Sequence, residues 1–153
     1  MIGGLGEDGD KVHICNLSTA GDHTAVSATT NQCIFVSPKD KCEILDISLA
    51  VTTAITAHTS NNWTIAITNQ TGDVALLSTN FDTDFDNSGN GGRELTADTA
   101  NSLCDNGAGG HGTNLDSYLQ NNILAKGDML VLTATKAASA GNLTYPTVIV
   151  KYR

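Results

Sequence analysis

Charged residues are scarce in this chain of 153 residues, and most of those present are acidic: 8 are Lys or Arg and 16 are Asp or Glu. The formal charge of −8 repels phosphate, and the basic residues stand nearly alone along the sequence. We therefore expect no nucleic-acid partner and no binding to an anionic membrane surface. Nor does any apolar run approach the roughly 20 residues of a membrane-spanning helix.

The first ten residues, Met1–Asp10, lack the basic and apolar regions of a signal peptide, so we expect synthesis in a cytoplasm. Gly3, Gly4, Gly6 and Gly9 fall in this stretch. So many glycines cannot build a core, and the stretch predicts a flexible arm that orders against a neighbouring molecule on assembly.

Closely spaced cysteines are also missing. The four cysteines are separated by 18, 9 and 62 residues, whereas zinc sites usually contain at least one short-spaced pair. Free cysteines packed as small apolar residues are the favoured interpretation. Disulfides and a metal site are the alternatives, and Cys33 and Cys42, which bracket a turn, are the first pair to examine. The cysteines are Cys15, Cys33, Cys42 and Cys104.

No recognised catalytic pattern is present. The histidines are scattered, without the spacing that places two on one helix face, and no G-x-S-x-G nucleophile elbow occurs. The glycine-rich run 107–112 lacks the strand and helix that make such a loop bind phosphate. We therefore predict that the protein is not an enzyme and uses no cofactor. The histidines are His13, His23, His58 and His111.

One acidic segment, 82–90, resembles a calcium loop, in which oxygen ligands alternate and a glycine follows. Asp84, Asp86 and Ser88 are the candidate ligands, with Gly89 after them. The twelfth position of the loop, where a bidentate Glu belongs, is Leu95. A solvated acidic turn is therefore favoured over a calcium site.

What the sequence does contain is apolar alternation with a period of two, which indicates strands. Apolar residues occupy every second position in 45–51, 63–67 and 148–152, and the segment 12–17 opens in the same way. Residues 129–135 are more continuously apolar, which is typical of a central strand. A tight turn at Lys126-Gly127-Asp128 precedes that strand.

Seven or eight short strands separated by turn signals predict an all-β fold: a single-domain antiparallel β-sandwich or jelly roll over residues 11–153. Residues 79–113 are rich in Asn, Asp and Gly and predict a long irregular loop insertion with a binding or subunit-contacting role. A helix around 114–124 is an alternative for the segment that follows. The only tryptophan, Trp63, lies in a strand alternation, which favours the core over an exposed sugar-stacking position.

The C-terminal part of the chain resembles small tailed-bacteriophage structural proteins. The residues that carry the resemblance are the segment 121–132, with its Lys-Gly-Asp turn, and the Val/Ile-rich last strand, Val148–Tyr152. Upstream, Leu76–Thr79, Asp82–Asp86 and Leu95-Thr96 follow in the expected order, so the resemblance covers roughly residues 42–153.

This resemblance implies a capsid decoration, or cement, protein: a jelly-roll sandwich that binds the major capsid protein on the outer surface of the virion. It further implies a homo-oligomer, a trimer, and virion localisation after synthesis in the host cytoplasm. Since the arm and the irregular loop suit contacts with other subunits, we predict contact residues there. The candidates are Ile2, Leu5, Phe81, Phe85, Arg93 and Leu103.

Two other classes of function fit the same sandwich. A receptor- or glycan-binding module, such as a fibre tip or lectin, would expose Trp63 or hold calcium at Asp84 and Asp86. A cupin-type metal enzyme would need two or three inward-facing histidines on strands, and only His13 falls in a firmly predicted strand.

Overall fold

A computed structural model of the chain describes residues 9–83, 93–104 and 119–153, and in this part of the chain it contains strands and no helix. Extended backbone is what the Thr- and Ile-rich alternating segments favour. The strands are β1 (Lys11–Asn16), β2 (Ala25–Val26), β3 (Thr30–Val36), β4 (Cys42–Ala50), β5 (Trp63–Asn69), β6 (Val74–Ala75), β7 (Phe81–Asp82), β8 (Ala100–Ser102), β9 (Ile123–Leu124), β10 (Met129–Lys136), β11 (Leu143–Thr144) and β12 (Thr147–Tyr152).

Two five-stranded antiparallel sheets pack against each other. In the first sheet the order is β1-β12-β4-β8, with β9 also pairing with β4; in the second it is β3-β10-β5-β6, with β7 also pairing with β5. The chain moves back and forth between the sheets, and the first and last strands pair with each other. This is the connectivity of a jelly roll, and the all-β sandwich predicted from the sequence is confirmed.

The core lies between the sheets and is built from the inward positions of the alternating strands. Trp63, Ile65 and Ile67 of β5 are buried, as are Leu130 and Leu132 of β10. Each fully buried side chain of this size contributes about 1.5–3 kcal/mol through removal of apolar surface from water. Trp63 is 0% exposed, which confirms its predicted place in the core.

Strand β1 presents its apolar alternation to the outside of the sandwich. Leu17, immediately after the strand, is fully buried. Because side chains alternate along a strand, the odd-numbered residues of β1 point toward the second sheet and the even-numbered ones point away from it. His13 lies on the side of the strand that faces the second sheet, where its ring packs edge-on against Phe35, 5.7 Å between centroids, although the residue as a whole remains exposed. The two even-numbered apolar residues, Val12 and Ile14, are consequently 57% and 62% exposed. The period of two predicts this strand correctly but leaves open which face is buried.

Two β-bulges shift the alternation within long strands. In β3, the register with β10 changes between the pairs Leu130–Phe35 and Val131–Cys33, so both Ile34 and Phe35 turn inward. The register of β4 with β12 also shifts, between Lys151 and Tyr152. In consequence Ile44 is buried in place of Leu45, whose inward position the regular alternation had predicted.

The segment 79–113, predicted as irregular, contributes to both sheets in its described part. Strand β7 pairs with β5 and strand β8 pairs with β4. Between them, Leu95 bridges to Ile55 and Ala97 to Val51. Residues 84–92 and 105–118 fall outside the described residues. The alternative of a helix over 114–124 does not hold for the described part, since Leu119 forms a β-bridge with Leu77 and β9 follows.

All four cysteines are free, so the Cys33–Cys42 disulfide is not formed. Cys42 is buried in the core, Cys33 is exposed, and Cys15 and Cys104 are half-buried. The interpretation as small core residues therefore applies to Cys42 and not to Cys33. Over the described residues, no helix is long and apolar enough to cross a membrane.

Candidate functional site

Three of the predicted contact residues meet at one place in the fold. The Arg93 guanidinium lies over the Phe81 ring, 4.7 Å from its centroid. The same guanidinium donates hydrogen bonds to the carbonyl oxygens of Leu103 and Ser102, at 3.3 and 3.4 Å. Arg93 therefore ties β7 to the end of β8, which gives it a structural role in the described fold.

Phe81 and Leu103 are 1% and 0% exposed. Their side chains lie in the core and are not accessible to another subunit, which corrects their assignment as contact residues. Ile2, Leu5 and Phe85, together with the calcium candidates Asp84, Asp86 and Ser88, lie outside the described residues. Of the six contact candidates, only Arg93 is both described and partly accessible.

A polar cluster sits on the outer side of the first sheet. Asp46 accepts hydrogen bonds from the hydroxyls of Ser48 and Ser102, both at 2.6 Å. Ser48 is only 6% exposed, and Asp46 and Ser102 are half-buried. These bonds join β4 to its neighbour β8 and hold the short strand in place, and they satisfy polar groups that would otherwise be buried without partners.

No group of three or more His, Cys, Asp or Glu in the described ranges 9–83, 93–104 and 119–153 is arranged to hold a metal ion. His58 stabilises its own loop, because its Nδ1 accepts hydrogen bonds from the backbone N–H groups of Ser60 and Asn61, both at 3.1 Å. The burial of Cys104 raises the pKa of its thiol to about 12, which keeps the thiol protonated and unreactive at neutral pH.

The predicted turn at 126–128 anchors the second sheet. Gly127 has φ +89°, a conformation that favours glycine. The Asp128 carboxylate accepts hydrogen bonds from the Ala125 N–H and the Asn69 amide, both at 3.0 Å. These bonds stabilise the ionised form and lower the pKa of Asp128. The role of this conspicuous sequence motif is thus structural.

The outer face of the three strands β3, β10 and β5 carries no charged side chain of its own, and the Asp82 carboxylate of the neighbouring β7 borders it, accepting a hydrogen bond from the Thr64 hydroxyl at 3.1 Å. Every outward residue there is neutral and most are small, and the centre of the face is half-buried by its own neighbours. Such a face can meet another protein without the cost of desolvating charges, and the centres of protein interfaces are depleted in charge in this way. The outward residues are Asn31, Cys33, Val36, Thr64, Ala66, Thr68, Met129, Val131, Thr133 and Thr135. We call this set the neutral face.

A basic end of the sandwich was not foreseen from the sequence. Lys39, Lys41 and Arg153 line an open hollow of about 350 Å³ together with Glu43. The Arg153 Nε donates to the Glu43 carboxylate at 2.7 Å. Basic residues that stand nearly alone along the sequence are thus brought together in space, because the fold places Arg153 beside Glu43, more than a hundred positions earlier.

The outward side of the edge strand β1 is a third surface that could not be identified from the sequence pattern. Its exposed Val12 and Ile14 lie beside the half-buried Ile149 of β12. A signal was present in the sequence, since Leu17 follows in the opposite phase of the alternation.

No family model, curated protein or solved structure matches this chain.

Proposed function

We propose that this protein is a structural component of a bacteriophage virion that decorates the outer capsid surface and stabilises it by binding the major capsid protein. The proposal rests on the sequence resemblance over residues 42–153 and on one structural observation, the neutral face. The outward residues of β3, β10 and β5 are all neutral although the chain has a net charge of −8, and β10 and β5 lie in the middle of the second sheet.

Capsid stabilisation suits a weak contact repeated over many copies. A homo-oligomer, for which the resemblance implies a trimer, engages several capsid subunits at once and gains avidity without any new contact. No catalytic chemistry is required of the chain in this role. The Met1–Asp10 arm remains a second predicted contact region, and only Gly9 and Asp10 of it are described.

The first test is the number of copies of this chain per major capsid protein in purified virions, measured by quantitative mass spectrometry. A ratio near one to one supports the head-coating role. A handful of copies per particle contradicts it and places the protein in the tail or at a vertex.

The second test locates the contact. Thr133→Arg places a charge at the centre of the neutral face, whereas Thr147→Arg makes the same change on β12, a central strand of the other sheet. Both threonines point outward and are half-buried. We expect Thr133→Arg to abolish cosedimentation with capsids that lack the protein, and Thr147→Arg to retain it. Equal binding by both variants would rule out the neutral face.

A glycan-binding module is the second proposal. Trp63 is buried and does not support this role, but a different aromatic residue does. Tyr145, 60% exposed, has φ +45°, an unusual conformation for a bulky residue that is often retained for function. Its backbone is fixed by a hydrogen bond from its N–H to the Thr24 carbonyl, at 2.8 Å. Binding on a glycan array that Tyr145→Ala removes would favour this role over capsid decoration.

A further inference from the structure

The free edge of β1 is unlike the other edges of the described sandwich. Strands β6, β7, β8 and β9 are two or three residues long, and β3 carries a bulge. Short strands and bulges are the usual means of preventing unwanted strand pairing. Strand β1 has six residues and pairs with β12 without a shift in register, so its outer edge can accept another strand.

The hydrogen-bond pattern shows which backbone groups point to that edge. The Leu17 N–H donates to Pro146, at 2.9 Å, on the β12 side. In an antiparallel ladder the direction alternates along the strand, so the backbone groups of odd-numbered residues face β12. Those of Val12, Ile14 and Asn16 face the free edge.

The C-terminal end of this edge is already capped by a side chain from the other sheet. The Gln32 amide donates to the Asn16 carbonyl at 2.7 Å and accepts from the Ser18 N–H at 3.0 Å. This amide acts as one residue of a pairing strand and blocks further pairing at Asn16. The N–H and C=O groups of Val12 and Ile14 are the ones left for a partner.

Val12 and Ile14 lie one position before and one position after His13. If a second copy of β1 is laid antiparallel with His13 opposite His13, Val12 of each copy faces Ile14 of the other. Both are then hydrogen-bonded pairs, and the four apolar side chains meet on the outer face. Shifting the register by one pair in one direction places Val12 opposite Asn16, whose carbonyl already accepts from Gln32. Shifting it in the other direction places Val12 opposite Val12 and the charged Asp10 opposite Ile14, which costs desolvation of a carboxylate in an apolar strip.

We propose that two copies of this chain join their β1 strands about a two-fold axis at His13, forming one continuous sheet with a strip of Val12 and Ile14 across the junction. Although the chain has a net charge of −8, few charged groups lie at this junction to repel a second copy. Lys11 is the only Lys, Arg, Asp or Glu in the strand and falls opposite the uncharged Cys15 of the second copy. Asp10, next to the strand, is paired with Lys151 at 3.1 Å.

This two-fold contact does not depend on the proposed function and is separate from the trimer that the resemblance implies. A continuous edge-to-edge sheet closes after two copies, because it uses the same surface on each. If the protein also trimerises, the two contacts use different surfaces.

The oligomer is tested first by native mass spectrometry and sedimentation of the full chain, from about 1 to 100 µM. We expect a dimer that Ile14→Lys weakens at least tenfold, since it places two like charges in the strip. Met129→Lys is the matched control, an exposed apolar residue of the second sheet that lies away from the junction, and it should leave the dimer intact. A monomer throughout the range, or an oligomer insensitive to Ile14→Lys, overturns the proposal.

Cysteine crosslinking then tests the register, in a chain where Cys15 and Cys33 are replaced by Ser. His13→Cys places two thiols on the axis in a non-hydrogen-bonded pair, about 4.5 Å between Cα atoms, which suits a disulfide. Val12→Cys is the control, because two residue steps of about 3.4 Å along the strand, together with the roughly 4.8 Å between neighbouring strands, separate the two Cα atoms by about 8 Å. This exceeds the roughly 7 Å limit between the Cα atoms of a disulfide. Crosslinking of His13→Cys alone supports the proposal. Preferential crosslinking through Val12→Cys or Ile14→Cys, or equal crosslinking of all three variants, refutes this register.

Discussion

Replacing Trp63 by Phe is the sharpest test of how the core is built. The Trp63 indole is 0% exposed, and its Nε1 donates a hydrogen bond to the Gly141 carbonyl at 2.8 Å. Phenylalanine loses this bond, which costs about 1 kcal/mol where the carbonyl regains some contact with water. The smaller ring also leaves a cavity, which adds about 1–2 kcal/mol. We expect a total loss of about 2–3 kcal/mol, equivalent to a Tm lower by roughly 5–10 °C.

The change is measured by urea and thermal unfolding followed by circular dichroism, because the variant has no tryptophan left to report by fluorescence. Ala66→Ser, an outward substitution on the same strand, is the control and should shift stability by no more than about 0.5 kcal/mol. A loss below about 1 kcal/mol for Trp63→Phe would show that the indole is neither enclosed nor bonded as described.

Two further predictions concern ionisable groups. Backbone and side-chain hydrogen bonds lower the pKa of Asp128 from its ordinary 3.8, so its ionised form stabilises the fold above pH 3.8 and this contribution is lost as the pH falls through the lowered value. The Tm difference between the wild type and Asp128→Asn should therefore be largest at pH 7 and shrink on acidification below pH 3.8; a constant difference would contradict this. Iodoacetamide at pH 8 should label the exposed Cys33 at least about tenfold faster than Cys104, whose pKa is raised to about 12 by burial. Peptide mass spectrometry measures both rates, and equal rates would be inconsistent with the burial of Cys104.

Much of the sheet could be predicted from the sequence because alternation is a local property. The strands at 63–69, 129–136 and 147–152 follow the pattern closely, and the turn at Gly127 is set by the residue types that form it. The core position of Trp63 also follows from its place in the alternation. Local backbone preference and side-chain period need no knowledge of the partner strand.

The candidate site could be predicted only in part. Arg93 and Phe81 were singled out for contact with other subunits, whereas the fold stacks one on the other within the chain. The neutral face is spread over three strands that are distant in sequence, so no local pattern marks it. The basic end likewise depends on Arg153 coming to lie beside Glu43.

The sequence by itself determined that the chain is built of alternating strands with a buried tryptophan and few charges. Only the tertiary structure decided which face of each strand is buried. In β1 the deciding residue is Leu17, which is buried immediately after the strand and sets the alternation so that Val12 and Ile14 point outward, whereas of the odd-numbered residues of the strand only Cys15 is half-buried. A period of two defines two faces of a strand but does not say which of them is buried. The residues that pack across the sandwich decide that.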